Sequence, residues 1–168
     1  MKIILSALLV CLQFVATAQG SNTITNTELK ALVGSWTGTS VNTIFTNGQN
    51  QVTFSVALEV VDLKDSLQLN FIYTDPAGKQ TTETNFLYVY NNSSKLSFDS
   101  AQFDIAEIRR RGVRLKVYAE RESYEDYKPV DFQDILIIGP GILNITKGIR
   151  AADATDFAIR KRLTLTKK

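Results

Sequence analysis

The chain has 168 residues, with 19 lysines and arginines against 17 aspartates and glutamates, one cysteine, one methionine and no histidine. A net charge of +2 supplies no electrostatic footprint for nucleic acid. Without imidazole there is no serine–histidine or cysteine–histidine catalysis and no histidine-based zinc or haem ligation.

The first twenty residues, MKIILSALLVCLQFVATAQG, place one positive charge, Lys2, before an apolar run from Ile3 to Ala16. Ala16-Thr17-Ala18 then forms a small-x-small cleavage site. This three-part pattern is that of a secretory signal peptide, and it is too short for a membrane span. Val10 stands before Cys11 where a lipid-modified cysteine would need a small residue, so a lipoprotein reading is rejected. Residues 1–18 are therefore expected to be removed, leaving residues 19–168 as one secreted or periplasmic domain. Cys11 and Met1 leave with the signal, so the mature domain has no thiol and no disulfide. Its net charge falls to +1 with the loss of Lys2. At this length about two-thirds of the unfolded surface can be buried, and no disulfide is needed for stability.

One short helix is expected from Asn26 to Val33. Thr25 and Glu28 stand in capping-box spacing, and Gly34 suits the position after the helix. From there the apolar residues alternate. Trp36, the only tryptophan, sits in LVGSWTGTS between Gly34 and Gly38 on the first strand. Val52, Phe54, Val56, Leu58 and Val60 share one face, and Leu67, Leu69, Phe71 and Tyr73 share another. DPAGK, Asp75 to Lys79, is a turn. Phe86, Tyr88 and Tyr90 alternate up to a second turn at Asn91 to Ser94. Strands follow at Lys95 to Asp99, Phe103 to Arg109 and Val113 to Arg121. DILIIGPG and ILNITKGI give two more around Pro140. Phe157, Ile159, Leu163 and Leu165 share parity in the last segment.

Many short strands separated by turns predict an all-β fold, either a sandwich or an antiparallel barrel. Closing a barrel removes the exposed strand edges, so a single antiparallel β-barrel with a short N-terminal helix is the reading adopted. A helical turn leading into Gly-x-Trp near the start of a secreted all-β chain resembles the lipocalin (calycin) signature, matched here by Gly34 and Trp36. Thr155-Asp156-Phe157 echoes that family's Thr-Asp-Tyr motif. Its position near the C-terminus points to a lipocalin-like barrel rather than strict lipocalin order. The resemblance implies that Trp36 closes one end of the barrel beneath a basic side chain from a late strand, a contact of about 0.5–2 kcal/mol. Arg160, Lys161 and Arg162 are the candidates. Parity with Leu163 favours Lys161, and a bulge would change the choice.

The resemblance also implies a small hydrophobic ligand inside the barrel. Phe54, Phe71, Tyr73, Phe86, Tyr88 and Phe103 are the aromatics expected to line such a cavity, and the plainer reading of the same set is a filled core. Three further segments carry weaker signals. RRRGVRLK, Arg109 to Lys116, reads as a solvated hairpin more readily than as an anion site. Glu120 to Asp134 reads as an acidic surface loop without the spacing of a calcium site. Asn91, Asn92 and Asn144 begin glycosylation sequons. No catalytic residue, metal site, cofactor, nucleic-acid contact or membrane span is expected. Binding of a small apolar ligand and macromolecular interaction through a filled barrel are the two functional classes that remain ahead of catalysis. Intact-mass analysis of the exported protein is expected to find a chain beginning at Gln19, and Met1 or Cys11 in the exported form would overturn the signal assignment.

Overall fold

The computed structural model describes residues 23–44 and 50–168. The expected signal peptide, residues 1–18, lies outside the described residues. Helix α1 (Asn26–Lys30) precedes ten strands: β1 (Gly34–Ile44), β2 (Asn50–Asp62), β3 (Leu67–Thr74), β4 (Gln80–Tyr90), β5 (Lys95–Phe98), β6 (Ala101–Arg111), β7 (Arg114–Glu125), β8 (Lys128–Gly139), β9 (Ile142–Ala151) and β10 (Ala158–Lys167). Each strand pairs antiparallel with its neighbours in sequence, and β10 returns to pair with β1, closing the sheet into a barrel. The barrel expectation holds. The lipocalin barrel has eight strands, so this one is wider.

Alternation along each strand fills the interior. Trp36, Leu58, Val60, Leu69, Phe71, Leu96, Val117, Leu136, Leu143 and Leu165 are at most 2% exposed and belong to one apolar core. The other parity faces solvent and is mostly polar on β1 and β2, as at Ser35, Thr37, Ser55 and Glu59.

Helix α1 closes the end at which β1 begins. Its capping box is formed: the Thr25 hydroxyl accepts from the Glu28 N–H, and the Glu28 carboxylate accepts from the Thr25 N–H at 2.8 Å. The helix is three residues shorter than expected. It ends at Lys30, and Ala31 and Leu32 form a turn that swings Leu32 into the core and brings its carbonyl within 2.7 Å of the Trp36 indole nitrogen. Two ion pairs pin the helix across the barrel end, Lys30 to Asp62 and Arg110 to Glu28.

Two glycines of β1 answer to the same closure. Gly34 turns the chain into the sheet at φ +120°, a conformation that other residues rarely adopt. At Gly38 a Cβ would lie 2.0 Å from the Thr164 carbonyl oxygen of β10, so only glycine lets the two strands meet.

The segment Glu120 to Asp134, expected to be a surface loop, is instead the β7–β8 hairpin. It turns at Asp126 and Tyr127, both with positive φ. Ordinary strand pairing overrides its acidic composition, because every second residue still points inward.

The barrel wall is uneven. Strand β5 has four residues, whereas β4 and β6 have eleven each. Gln80–Leu87 of β4 and Arg121–Glu125 of β7 therefore have no partner on that side, which leaves a notch in the wall at the end opposite the helix.

The basic group over Trp36 is Lys167, not Arg160, Lys161 or Arg162. Its Nζ lies 5.4 Å from the ring centroid, and Trp36 and Lys167 face each other across the β1–β10 seam. The earlier three face the wrong end: Lys161 pairs with Asn42, six residues along β1 from Trp36, or roughly 20 Å at the rise of a strand. Trp36→Ala is expected to cost about 3–5 kcal/mol and Lys167→Met about 0.5–1 kcal/mol, with a non-additive double variant, read from denaturant midpoints. An additive cycle would show that the ammonium and the indole do not interact.

Candidate functional site

Four of the six aromatics expected to line the interior do face it. Phe71 and Phe103 are buried and Phe54 and Tyr73 half-buried. Phe71 stacks on Tyr73 with centroids 5.6 Å apart, and Phe54 meets Tyr73 edge-on at 6.5 Å. Phe86 and Tyr88 do not. Phe86 is 45% exposed, because the inward stripe of β4 is Glu83, Asn85, Leu87 and Val89. An aromatic alternation lies on the outer face there, while polar residues hold the inner one.

Above the apolar core, toward the notched end, the interior carries a layer of charge. Lys147 of β9 stands between two carboxylates, with Nζ 2.7 Å from Asp99 and 3.2 Å from Asp134. Asp99 comes from the tight β5–β6 turn, where Asp99 and Ser100 both have positive φ. Lys161 of β10 donates to the Tyr73 hydroxyl at 2.9 Å. The Asn85 amide donates to Glu83 at 2.7 Å. Arg121 of β7 lies 4.4 Å from the Phe132 centroid and 5.4 Å from that of Phe103, and its Nε is buried without an acceptor. The space left among Tyr73, Glu83, Asn85, Asp99, Lys147 and Lys161 is about 10 Å³, room for roughly one water.

The electrostatics follow from depth. Asp134 is 3% exposed, and burial pushes its carboxyl above the usual range despite the opposing pull of Lys147. Asp99 is likewise penalised by burial, but Lys147 outweighs that cost and holds its carboxyl below the usual range. Burial pushes the Tyr73 hydroxyl well above its ordinary value, and Glu83 and Asp99 add to the rise.

The expected basic trio is dispersed. Arg160 makes a two-pronged pair with Glu125 at 2.6 Å, Arg162 is exposed, and only Lys161 reaches the interior. Glu83, Asn85, Asp99, Arg121, Asp134 and Lys147 were not singled out from the sequence. The signal was present in the spacing: Asp134 alternates with Leu136 and Ile138, and Lys147 with Leu143, Ile145 and Ile149.

A carboxyl whose ionisation is disfavoured by folding stabilises the fold below its unfolded titration range. That contribution is lost as pH rises through the higher folded value. Asp134→Asn is therefore expected to match the wild type at about pH 3. At about pH 8 it should be more stable by on the order of 1 kcal/mol in urea unfolding, because the amide stays neutral and Asp99 still pairs with Lys147. A variant less stable than the wild type at about pH 8 would show that the ionised Asp134 is the favoured form.

No protein-family model and no curated protein sequence matches the chain. Among solved structures, the crystal structure of Rv2717c from M. tuberculosis is similar, at 16% identity and a TM-score of 0.60, over 84% of this chain and 96% of that one. At that identity the likeness shows a shared barrel fold.

Proposed function

We propose that the protein is an exported, lipocalin-like binding protein that takes a small ligand at the notched mouth of its barrel. The observation that carries this reading is the charged layer inside a closed barrel. Replacing buried ion pairs by packed apolar residues is often neutral or stabilising, so the fold itself does not call for Lys147, Asp99, Asp134 and Lys161 in that position. Such groups gather where a ligand is to be oriented.

The site modifies the expectation of a wholly apolar ligand. The half of the barrel toward Trp36 is packed, so the ligand rests on the layer rather than beneath it. Its apolar body lies against Phe54 and Tyr73, and a polar group meets Lys161, Glu83 or Arg121. Binding rather than catalysis is the proposed role, and export follows from the signal-like N-terminal sequence.

One observation favours a second reading, in which a filled barrel serves only as an interaction module: the layer leaves space for about one water. Native mass spectrometry of the protein exported by its own host separates the two. A retained small molecule, lost in Tyr73→Ala, is the expected result. A bare protein at full yield would overturn ligand binding in favour of the filled-barrel reading.

A further inference from the structure

Lys161 and Lys147 occupy facing inward positions on β10 and β9, just past the bulge between Ile159 and Lys161. Two ammonium groups so placed repel, and the surroundings treat them differently. Lys147 is neutralised by two carboxylates, Asp99 and Asp134. Lys161 makes no ion pair among the described residues, and its Nζ has the Tyr73 hydroxyl at 2.9 Å, with the ring centroid at 4.5 Å. Lys161 lies near the start of β10 and Tyr73 near the end of β3, so both stand at the mouth rather than deep in the core.

The groups facing Lys161 are Asn42 across β1, Tyr73 from β3, Glu83 from β4, Asp99 from the β5–β6 turn, Asp134 from β8 and Lys147 from β9. Burial pushes the Lys161 amine below the ordinary lysine range and Lys147 pushes the same way, against the opposing carboxylates Glu83, Asp99 and Asp134. A lysine desolvated beside a second cation is the standard arrangement for an amine nucleophile. The carboxylates around it supply proton-transfer groups.

We propose that Lys161 is a reactive amine that captures small carbonyl compounds at the mouth as imines, so that the ligand is held by a reversible covalent bond. This rests on the reading of the mouth as a ligand site and names the ligand's chemistry, an aldehyde or ketone. The neutral Nζ gives its lone pair to the carbonyl carbon, and the carbon–oxygen π pair moves to oxygen, forming a carbinolamine. The two protons of the amine end on that oxygen, which leaves as water as the carbon–nitrogen double bond forms. No oxidant or reductant is consumed. The Tyr73 hydroxyl, kept protonated by burial, is placed to donate to the carbinolamine oxygen, and Glu83 beside it to pass protons on. Tyr73 is in that sense the general acid of the step, held 2.9 Å from the Lys161 amine.

The test is reductive trapping of the full mature chain with propanal and cyanoborohydride under limiting conditions, followed by peptide mass mapping. At about pH 7, Lys161 is expected to be propylated about tenfold faster than the exposed Lys79 and Lys168, with its labelling midpoint at lower pH. Tyr73→Phe should slow labelling of Lys161 severalfold and leave Lys79 unchanged. Labelling of Lys161 no faster than Lys79, or with the same pH midpoint, overturns the proposal. If that occurs while the wild type and Lys161→Met both retain a host molecule in native mass spectra, imine capture falls and the ligand site stands. If it occurs with a bare wild type, both fall.

Discussion

Everything inside this molecule is set by the seam at which β10 meets β1. In a closed sheet each cross-strand pair shares a face, so one register fixes which residues of all ten strands point inward, and a slip of one residue would turn every stripe over. The seam is held by backbone contact at Gly38, where a methyl group would strike Thr164, and by the Trp36–Lys167 pair at its closed end. The indole does two jobs there. It fills the helix-capped end of the barrel, and through its N–H it fastens the turn that follows α1, since Leu32 offers its carbonyl at 2.7 Å.

The same register creates the charged layer. With Leu163 and Leu165 inward on β10, Lys161 must be inward too, and its partner Lys147 with it. Two facing cations would be costly if left alone. The barrel answers with Asp134 from the next strand and with Asp99, carried in by the tight turn that ends the unusually short β5. The short strand thus serves two ends at once: it lowers the wall, and it brings a carboxylate to the level of the lysines. Packing accounts for the apolar half of the interior, and in the other half Asp99 and Asp134 offset the charge of Lys147.

Much of the architecture was legible in the sequence because it depends on local pattern. Period-two alternation marked nearly all the strands, the Thr25–Glu28 spacing marked the helix start, and Gly-x-Trp marked the closed end. What escaped was information carried by pairing. Phe86, Tyr88 and Tyr90 look like an inward stripe until β3 is set beside them and Asn85 and Leu87 are seen opposite Leu69 and Leu67. Arg160 to Arg162 carry the densest late cluster of charge, yet the direction of β10 leaves the indole to Lys167. Buried charge was missed for a related reason: single polar residues within apolar stripes, such as Asp134 and Lys147, read as exceptions to the pattern rather than as its point.

One feature of the topology reaches beyond the native chain. Every seam but one joins neighbours in sequence, and the exception brings the two ends of the barrel sequence together, with the Lys168 N–H donating to the Ser35 carbonyl at 2.9 Å. The barrel is therefore a ring in sequence as well as in space, and the place where the chain is cut is arbitrary to its strand pairing. A circular permutant that links β10 to β1 and opens at an exposed hairpin, such as Asp126–Tyr127, would keep every cross-strand partner. It would also turn the one long-range closure into a local one and shift that burden to the new break, so the order in which the strands assemble would be a matter of where the chain begins rather than of the fold.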